Sequence, residues 1–225
     1  MNQPKKIQFQ YRYFNLPAGG VENYFLAGAD YCRRRGIEAR VLASQNPLRP
    51  APEEEAIGTL DVTRHPYFHP PSPLLFFRPR LETDWLEKYI ARSSPEIDLF
   101  MSRHPAYALA ARKAGPGRPV IFLPPDLRVR RLDRQTGRSL KDKIIYSFYR
   151  PQINRIERRA AEDADRLVTL SENLKNQFIE NHRIAPERIE VIPPGVDTDR
   201  FRPGTADADL LRELDLDSRD PVILT

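Results

Sequence analysis

The 225-residue chain contains one cysteine, Cys32, two methionines and one tryptophan. A lone cysteine excludes an internal disulfide framework, and without paired Cys or His spacings it gives no support for a metal centre. No apolar run approaches the roughly 20 residues that cross a bilayer. The N-terminus passes from Lys5 and Lys6 straight into alternating Ile7, Phe9, Tyr11 and Tyr13, which is a strand pattern and not a secretory leader. Internal repeats and low-complexity tracts are missing too. So are zinc-finger spacing, a recognition-helix pattern and an RNA-binding aromatic signature, so no nucleic-acid partner is expected. Cytoplasmic residence is the simple expectation.

What is present suits a soluble globular domain: 40% hydrophobic and 30% charged residues. The chain is long enough for one large α/β domain with a real core, or one domain plus a fragment. Net charge is +5 and the pI about 9.4. Such an excess taken alone suits an anionic partner, whether nucleotide phosphates, an anionic membrane surface or nucleic acid, and equally a set of solvated arginines.

Strand and helix patterns alternate almost from end to end. Strands are expected at Lys6–Tyr13, Glu38–Ser44, Leu60–Arg64, Ile97–Ser102, Arg118–Leu123, Arg166–Leu170 and Arg188–Ile192. Helices are expected at Val21–Arg35, Leu81–Arg92, Ala106–Lys113 and Ser139–Ala164, with a further helix after Ser171. In the first helix Val21, Phe25, Ala29 and Cys32 share a face and Gly36 is the stop, so Cys32 reads as a small core residue. Gln45–Glu55 reads as a loop rich in proline and acid. His65–Arg80 carries five prolines and several aromatics, and reads as cover for the core. Pro151 is expected to bend or break the long basic helix. Alternation at this spacing predicts an α/β, Rossmann-like, doubly wound parallel sheet. Asp207–Leu214 reads as a short helix. Pro221–Thr225 begins a new apolar strand, either the start of a further domain or an edge strand of the same sheet.

Ligands of such sheets bind at strand C-terminal ends, so the loops there hold the candidate site residues. Gly19 and Gly20, followed by Glu22, link the first strand to the first helix. Paired glycines allow close backbone approach, and a helix N-terminus favours anions. A structural turn is the other reading. Arg103 and His104 follow the fourth expected strand, where His104 can act as a base or orient a substrate hydroxyl; a structural or merely exposed histidine is the other reading. Asp126 and Arg128 follow the next, offering a carboxylate to a hydroxyl and a cation to phosphate; an ordinary turn capped by Asp126 is the other reading. Ser171 ends another strand and caps the helix behind it. Gly195 and Asp197 lie in the loop closed by Pro193 and Pro194. Arg128, Arg130, Arg131, Arg134, Arg138, Lys141 and Lys143 precede Ile144, Ile145, Tyr146, Phe148 and Tyr149. That stretch is either a membrane-docking amphipathic surface or a solvated face with its aromatics turned inward.

The segment Asp165–Ser171, then Lys175, then Ile189–Asp197 and Phe201–Pro203, with Gly19–Gly20 upstream, resembles the N-terminal domain of glycosyltransferase family 4. The family usually has Asn where Pro194 stands. The resemblance implies the N-terminal half of a two-domain GT-B fold: residues 1–203 as the acceptor-side domain, and 204–225 as a linker and the first strand of a missing donor-binding domain. It implies sugar transfer from a nucleotide-sugar donor to a sugar or lipid-linked acceptor, with retention and without a bound metal or other cofactor. In the family the glycine loop approaches donor phosphates, the Ser171 hydroxyl faces the interdomain cleft, and Gly195–Asp197 precedes the linker. The histidine common near position 124 is replaced here by Pro124 and Pro125, which leaves His104 and Asp126 as the candidate catalytic groups. Arg128–Tyr149 would meet the inner membrane surface, as in relatives with lipid acceptors. The family's donor-side glutamate pair matches nothing in this chain, so little activity is expected of these residues alone. A non-catalytic GT-B-like binding subunit working with a partner chain is the alternative.

Overall fold

The computed structural model describes residues 4–15, 19–70, 77–128, 140–198, 201, 202, 204 and 208–214. Chain contacts divide it into two units, Met1–Pro193 and Pro194–Thr225. The expected strand at Pro221–Thr225 and most of the basic run between Arg128 and Ile144 lie outside the described residues.

The first unit is built on one eight-stranded sheet. Its strands are β1 (Lys6–Gln10), β2 (Glu38–Ser44), β3 (Glu54–Ile57), β4 (Leu60–His65), β5 (Leu99–Ser102), β6 (Val120–Phe122), β7 (Arg166–Thr169) and β8 (Ile189–Val191). The order across the sheet is β3-β4-β2-β1-β5-β6-β7-β8, and every pairing is parallel except β3 with β4. The chain winds outward from β1 in one direction through β2 and β4. It then returns to pair β5 beside β1 and winds the other way. The gap past the C-terminal ends of β1 and β5 is therefore the topological switch point, where open parallel sheets bind ligands.

Among the described residues five helices cover this sheet: α1 (Gly20–Arg34), α2 (Arg78–Ser93), α3 (Pro105–Ala114), α4 (Leu140–Asp163) and α5 (Glu172–His182). Successive side chains of a strand point to opposite faces, and β2 shows the division. Val41 and Ala43 join the cluster around Phe9, Phe25 and Cys32, whereas Leu42 joins the cluster of Phe100, Phe122 and Leu86. The first cluster is closed by α1, with Phe9 and Phe25 stacked at 4.9 Å. The second is closed by α2, α3, α4 and α5. Cys32 is buried as a small core residue, as its helical face predicts. Gly36 ends α1 with a φ of 69°, a conformation that favours glycine.

Two features differ from the sequence reading. Glu54 and Glu55 are not loop: they open β3, a short antiparallel edge strand that turns into β4 through Gly58 at φ 61°. Pro47, Pro50 and Pro52 just ahead of it, and a composition with only Ile57 buried, hid it. Pro151 does not break α4, which runs through it for 24 residues.

The central strand is polar on one face. Ser102 donates to Gln10 Oε1, Gln10 Nε2 donates to Gln8 Oε1 at 2.8 Å, and Gln8 Nε2 donates to the Ser94 hydroxyl at 2.8 Å. All four side chains are buried, and each amide is satisfied by the next, which offsets the cost of burying it. In the second unit, α6 (Ala208–Glu213) supplies the helix expected near Asp207–Leu214, and Phe201 N donates to the Asp197 carbonyl at 2.8 Å.

Candidate active site

At the switch point two adjoining cavities, of about 420 and 190 Å³, share Arg12, Arg78, His104, Pro105, Arg128 and Ile153. Arg12 follows β1, Arg103 and His104 follow β5, and Asp126 and Arg128 follow β6. Arg78 comes from the start of α2. Tyr11, Tyr13 and Tyr67 complete the larger cavity, while Glu82 and Tyr149 line the smaller. The structure thus brings together Arg103, His104, Asp126 and Arg128, and adds Arg12, Arg78 and Glu82, which the sequence reading missed. Arg12 carried a usable signal: it sits between two tyrosines just past the C-terminal end of a strand that was legible. Arg78 and Glu82 carried none, because only tertiary packing brings α2 here.

Each cation is held differently. Arg12 reaches Glu82 at 3.4 Å. Arg78 donates to the Tyr67 hydroxyl and lies over its ring at 4.9 Å. Arg103, 4% exposed, lies over the Tyr24 ring at 4.7 Å. Arg128 is anchored through its backbone N–H, which donates to Glu157 Oε1 at 2.8 Å. Burial pushes the Arg103 and Arg128 guanidinium groups down from their ordinary value, and for Arg128 the neighbouring Arg12 charge adds to this. The Nε atoms of Arg12, Arg78 and Arg103 and the Nε2 of His104 are buried without a hydrogen-bond partner. They are four of seven such side-chain atoms among the described residues, so the unmet donors concentrate at this cleft.

His104 is buried at the N-cap of α3, where its Nδ1 accepts from Ala106 N at 3.3 Å. Burial, then the charges of Arg128 and Arg12, hold its pKa well below the ordinary histidine value, so the ring is neutral near pH 7. An accepting Nδ1 on a neutral ring leaves the proton on Nε2. His104 therefore meets the cleft as a hydrogen-bond donor, which suits orienting a substrate oxygen better than removing its proton. Behind it, His65 is neutral as well: its Nδ1 donates to the Pro66 carbonyl at 2.9 Å and its Nε2 accepts from the Tyr107 hydroxyl at 2.6 Å. Burial, partly opposed by the Pro66 bond, lowers its pKa to about 4.

Gly19 caps α1, and the Glu22 carboxylate accepts its N–H at 3.2 Å. Nothing lies within 4 Å of a Cβ placed on Gly20, and the Cβ of Gly19 would meet only the tip of the Glu22 side chain. Packing within the unit does not demand glycine here. Leu16, Pro17 and Ala18 of the same loop lie outside the described residues. Ser171 caps α5, accepting from Leu174 N at 3.2 Å, as expected. Gly195 and Asp197 belong to the second unit. Of the expected membrane-facing stretch, Ile144 and Phe148 are exposed, but Tyr149 and Arg128 line the cleft instead. No described helix is long and apolar enough to cross a membrane.

The profile of Glycosyltransferase Family 4 matches residues 18–200. A D-inositol 3-phosphate glycosyltransferase of Mycobacterium marinum (strain ATCC BAA-535 / M) is 44% identical over 48 residues, which are 21% of this chain and 10% of that protein. Its counterpart in Mycobacterium sp. (strain KMS) is 39% identical over 67 residues, 30% of this chain and 15% of that protein. Among solved structures, sucrose-phosphate synthase of Thermosynechococcus elongatus superposes with a TM-score of 0.64 at 15% identity, covering 96% of this chain and 54% of that one. Anabaena HepE, in complex with UDP and glucose, gives 0.59 at 17% identity, covering 94% and 50%. WaaG, involved in lipopolysaccharide biosynthesis, gives 0.59 at 16%, covering 93% and 51%. The chain spans about half the length of each of these structures.

Proposed function

The chain belongs to glycosyltransferase family 4, and from that premise we propose that it is the acceptor-side domain of an enzyme that moves a sugar from a nucleotide-sugar donor to an acceptor hydroxyl. The observation that carries this reading is the cleft at the C-terminal ends of β1, β5 and β6, in which a neutral histidine, a carboxylate and four arginines line one cavity. In that cleft the His104 Nε2–H donates to a substrate oxygen, and Asp126 accepts from the acceptor hydroxyl. The cations balance negative charge that grows as the bond to the leaving diphosphate breaks. Exposed Gly19 and Gly20 leave room at the N-terminus of α1 for close approach of the donor phosphates. HepE, of similar fold, has been solved with UDP and glucose, which supports a nucleotide-sugar donor. The reaction needs no resident metal, proceeds with retention, and requires a donor-binding domain beyond these residues.

The test is a screen of UDP- and GDP-sugars against a mixed acceptor set, reading nucleoside diphosphate release and product anomer. It is run on this chain and on the longest natural polypeptide that contains it. Release by the longer polypeptide and negligible release by the chain is the expected result. Robust transfer by the chain alone overturns the division of labour. Failure of both to release any nucleotide favours the non-catalytic subunit.

The exposed Ile144, Phe148 and Phe77, with Arg80, Arg155 and Arg159 beside them, form the face we assign to an anionic bilayer. Salt-sensitive pelleting with vesicles rich in anionic lipid supports the assignment; no pelleting at low salt ends it.

A further inference from the structure

Four guanidinium groups line one cavity, and their carboxylate neighbours do not match them in number. Arg12, Arg78, Arg103 and Arg128 face it, Asp126 lines the same cavity, and Glu82 lines the adjoining one. Of the four, only Arg12 has a carboxylate within ion-pair distance among the described residues. Glu157 is buried and already engaged: one oxygen accepts the Arg128 backbone N–H and the other accepts from His182 Nε2 at 3.1 Å. Glu22, near Arg103, is turned to the Gly19 N–H. A protein whose only aim was stability would not gather four like charges, Arg103 buried and Arg12, Arg78 and Arg128 half-buried, and leave the Nε donors of Arg12, Arg78 and Arg103 unmet, because each unsatisfied buried polar group costs stability. Such a cluster is best explained by a ligand that supplies the missing acceptors. Planar guanidinium forks match the oxygens of a phosphate or carboxylate, and a neutral Nε2–H adds a donor without adding charge.

We propose that the acceptor is itself an anion, a sugar or polyol carrying a phosphate or carboxylate, and that Arg12, Arg103 and Arg128 with the His104 Nε2–H grip that group. The proposal rests on the transferase reading, and it names the acceptor's chemistry. The tyrosines of the wall, Tyr11, Tyr13 and Tyr67, then face the uncharged part of the molecule. The anion both lowers the field among the cations and fixes the acceptor's orientation, so that one hydroxyl is presented to the donor.

The experiment is a nitrogen–proton correlation titration of the whole chain, following the arginine Nε–H signals, with inorganic phosphate, acetate, glucose 6-phosphate, glucose and UDP as separate probes. Glucose 6-phosphate is expected to shift the Arg12 and Arg103 signals saturably, while glucose at the same concentration leaves them in place. Inorganic phosphate and acetate divide the phosphate and carboxylate sources by which of them competes. Arg128→Gln is expected to weaken the effect at least tenfold. Lys88→Gln, at an exposed position on α2, leaves it unchanged. Arg128→Lys, which keeps the charge but loses the fork, falls between. Thermal unfolding of each variant separates lost binding from lost structure: Arg128→Gln should melt at or above the parent temperature, since it relieves like-charge repulsion. No saturable shift with any anion, or an equal shift with glucose, overturns the proposal and leaves the transferase reading standing. If UDP alone shifts these signals, or if UDP displaces glucose 6-phosphate, the cations serve the donor and the acceptor assignment is wrong. Loss of nucleotide-sugar use in the donor screen would instead remove the transferase reading, whatever the anion result.

Discussion

At the N-terminal edge of the sheet, Lys6 bridges Glu38 at 3.4 Å and Glu96 at 2.6 Å, and Arg40 bridges the same two carboxylates at 2.6 and 2.8 Å. Asp98 there accepts the backbone N–H groups of Lys5 and Lys6, and Asp165 accepts Val120 N while pairing with Arg112 at 3.1 Å. At the C-terminal edge, Arg103 rests on a tyrosine ring and Arg12, Arg78 and His104 keep buried nitrogens unmet. The same chain therefore pairs its charges at one edge and leaves several donors unmet at the other. Size alone would point to the wrong one: a concavity of about 1020 Å³ lies at the N-terminal edge, lined by Arg112, Asp165 and Arg188. There Arg188 already donates to the Glu162 and Ala164 carbonyls. Unmet donors separate a site from a fold more sharply than volume does.

The largest test of this contrast is an acid titration, because the two edges should fail in different windows. His65, at the C-terminal end of β4, has a folded pKa of about 4 against an ordinary 6.5. The unfolded chain takes up that proton first, so stability falls as pH drops from 6.5 to about 4 and is flat in this group below that. The loss is roughly 3 kcal/mol for a shift of this size. His104, also held below its ordinary value, acts with the same sign. At the other edge the Lys6 hydrogen bond holds Glu96 below its ordinary value, and backbone donors do the same for Asp98. Their contribution persists above the ordinary carboxylate range and is lost only as pH falls through those lowered values. Urea unfolding from pH 7 to 3 should show the histidine phase first, and His65→Gln should remove its share while leaving that of His104. A flat profile between pH 7 and 4 would break the picture.

Next in size is Asp165→Ala. It leaves the buried Val120 N–H unmet and should cost about 1–3 kcal/mol in chemical unfolding. Arg128→Gln, at the opposite edge, should cost nothing by the same measurement; a loss equal to that of Asp165→Ala would mean the two edges are built alike. The smallest test lies within the C-terminal edge itself. Ser171 is satisfied as a cap, so Ser171→Ala should cost about 1 kcal/mol of stability, and Ser171→Asp should recover it. Neither should move the arginine signals in the anion titration, and if either did, Ser171 would join the site.

The parallel architecture was legible because short apolar runs rich in β-formers, such as Arg166–Leu170, alternate with longer amphipathic helices, and length and β-branched composition tell the two apart. β3 was not legible, since an edge strand of four residues with one buried side chain leaves almost no pattern. The glutamines of β1 show a burial that alternation does not reveal. Gln8 and Gln10 alternate with Ile7 and Phe9 like a solvated face, yet they are buried, because α2 and α3 cover that side. At the site, residues close to a strand end were found, Arg12 excepted, and those delivered by another element were not. Arg103, His104, Asp126 and Arg128 follow their strands directly, while Arg78 and Glu82 arrive from α2. Sequence shows where a strand stops, but not which helix will be laid across its end.

The buried row from Ser102 through Gln10 and Gln8 to Ser94 has one further consequence. All three donors point the same way along it, from the C-terminal edge of the sheet toward the N-terminal edge. Their dipoles add, and the electron-rich end of the sum is the Ser102 oxygen, one residue before Arg103. The middle of the sheet thus acts as a small internal battery whose negative pole lies beneath the arginines. Turning one amide alone would break its bond to the other amide, because it sets like atoms face to face; only turning both together, with the two serine hydroxyls following, would reverse the polarity.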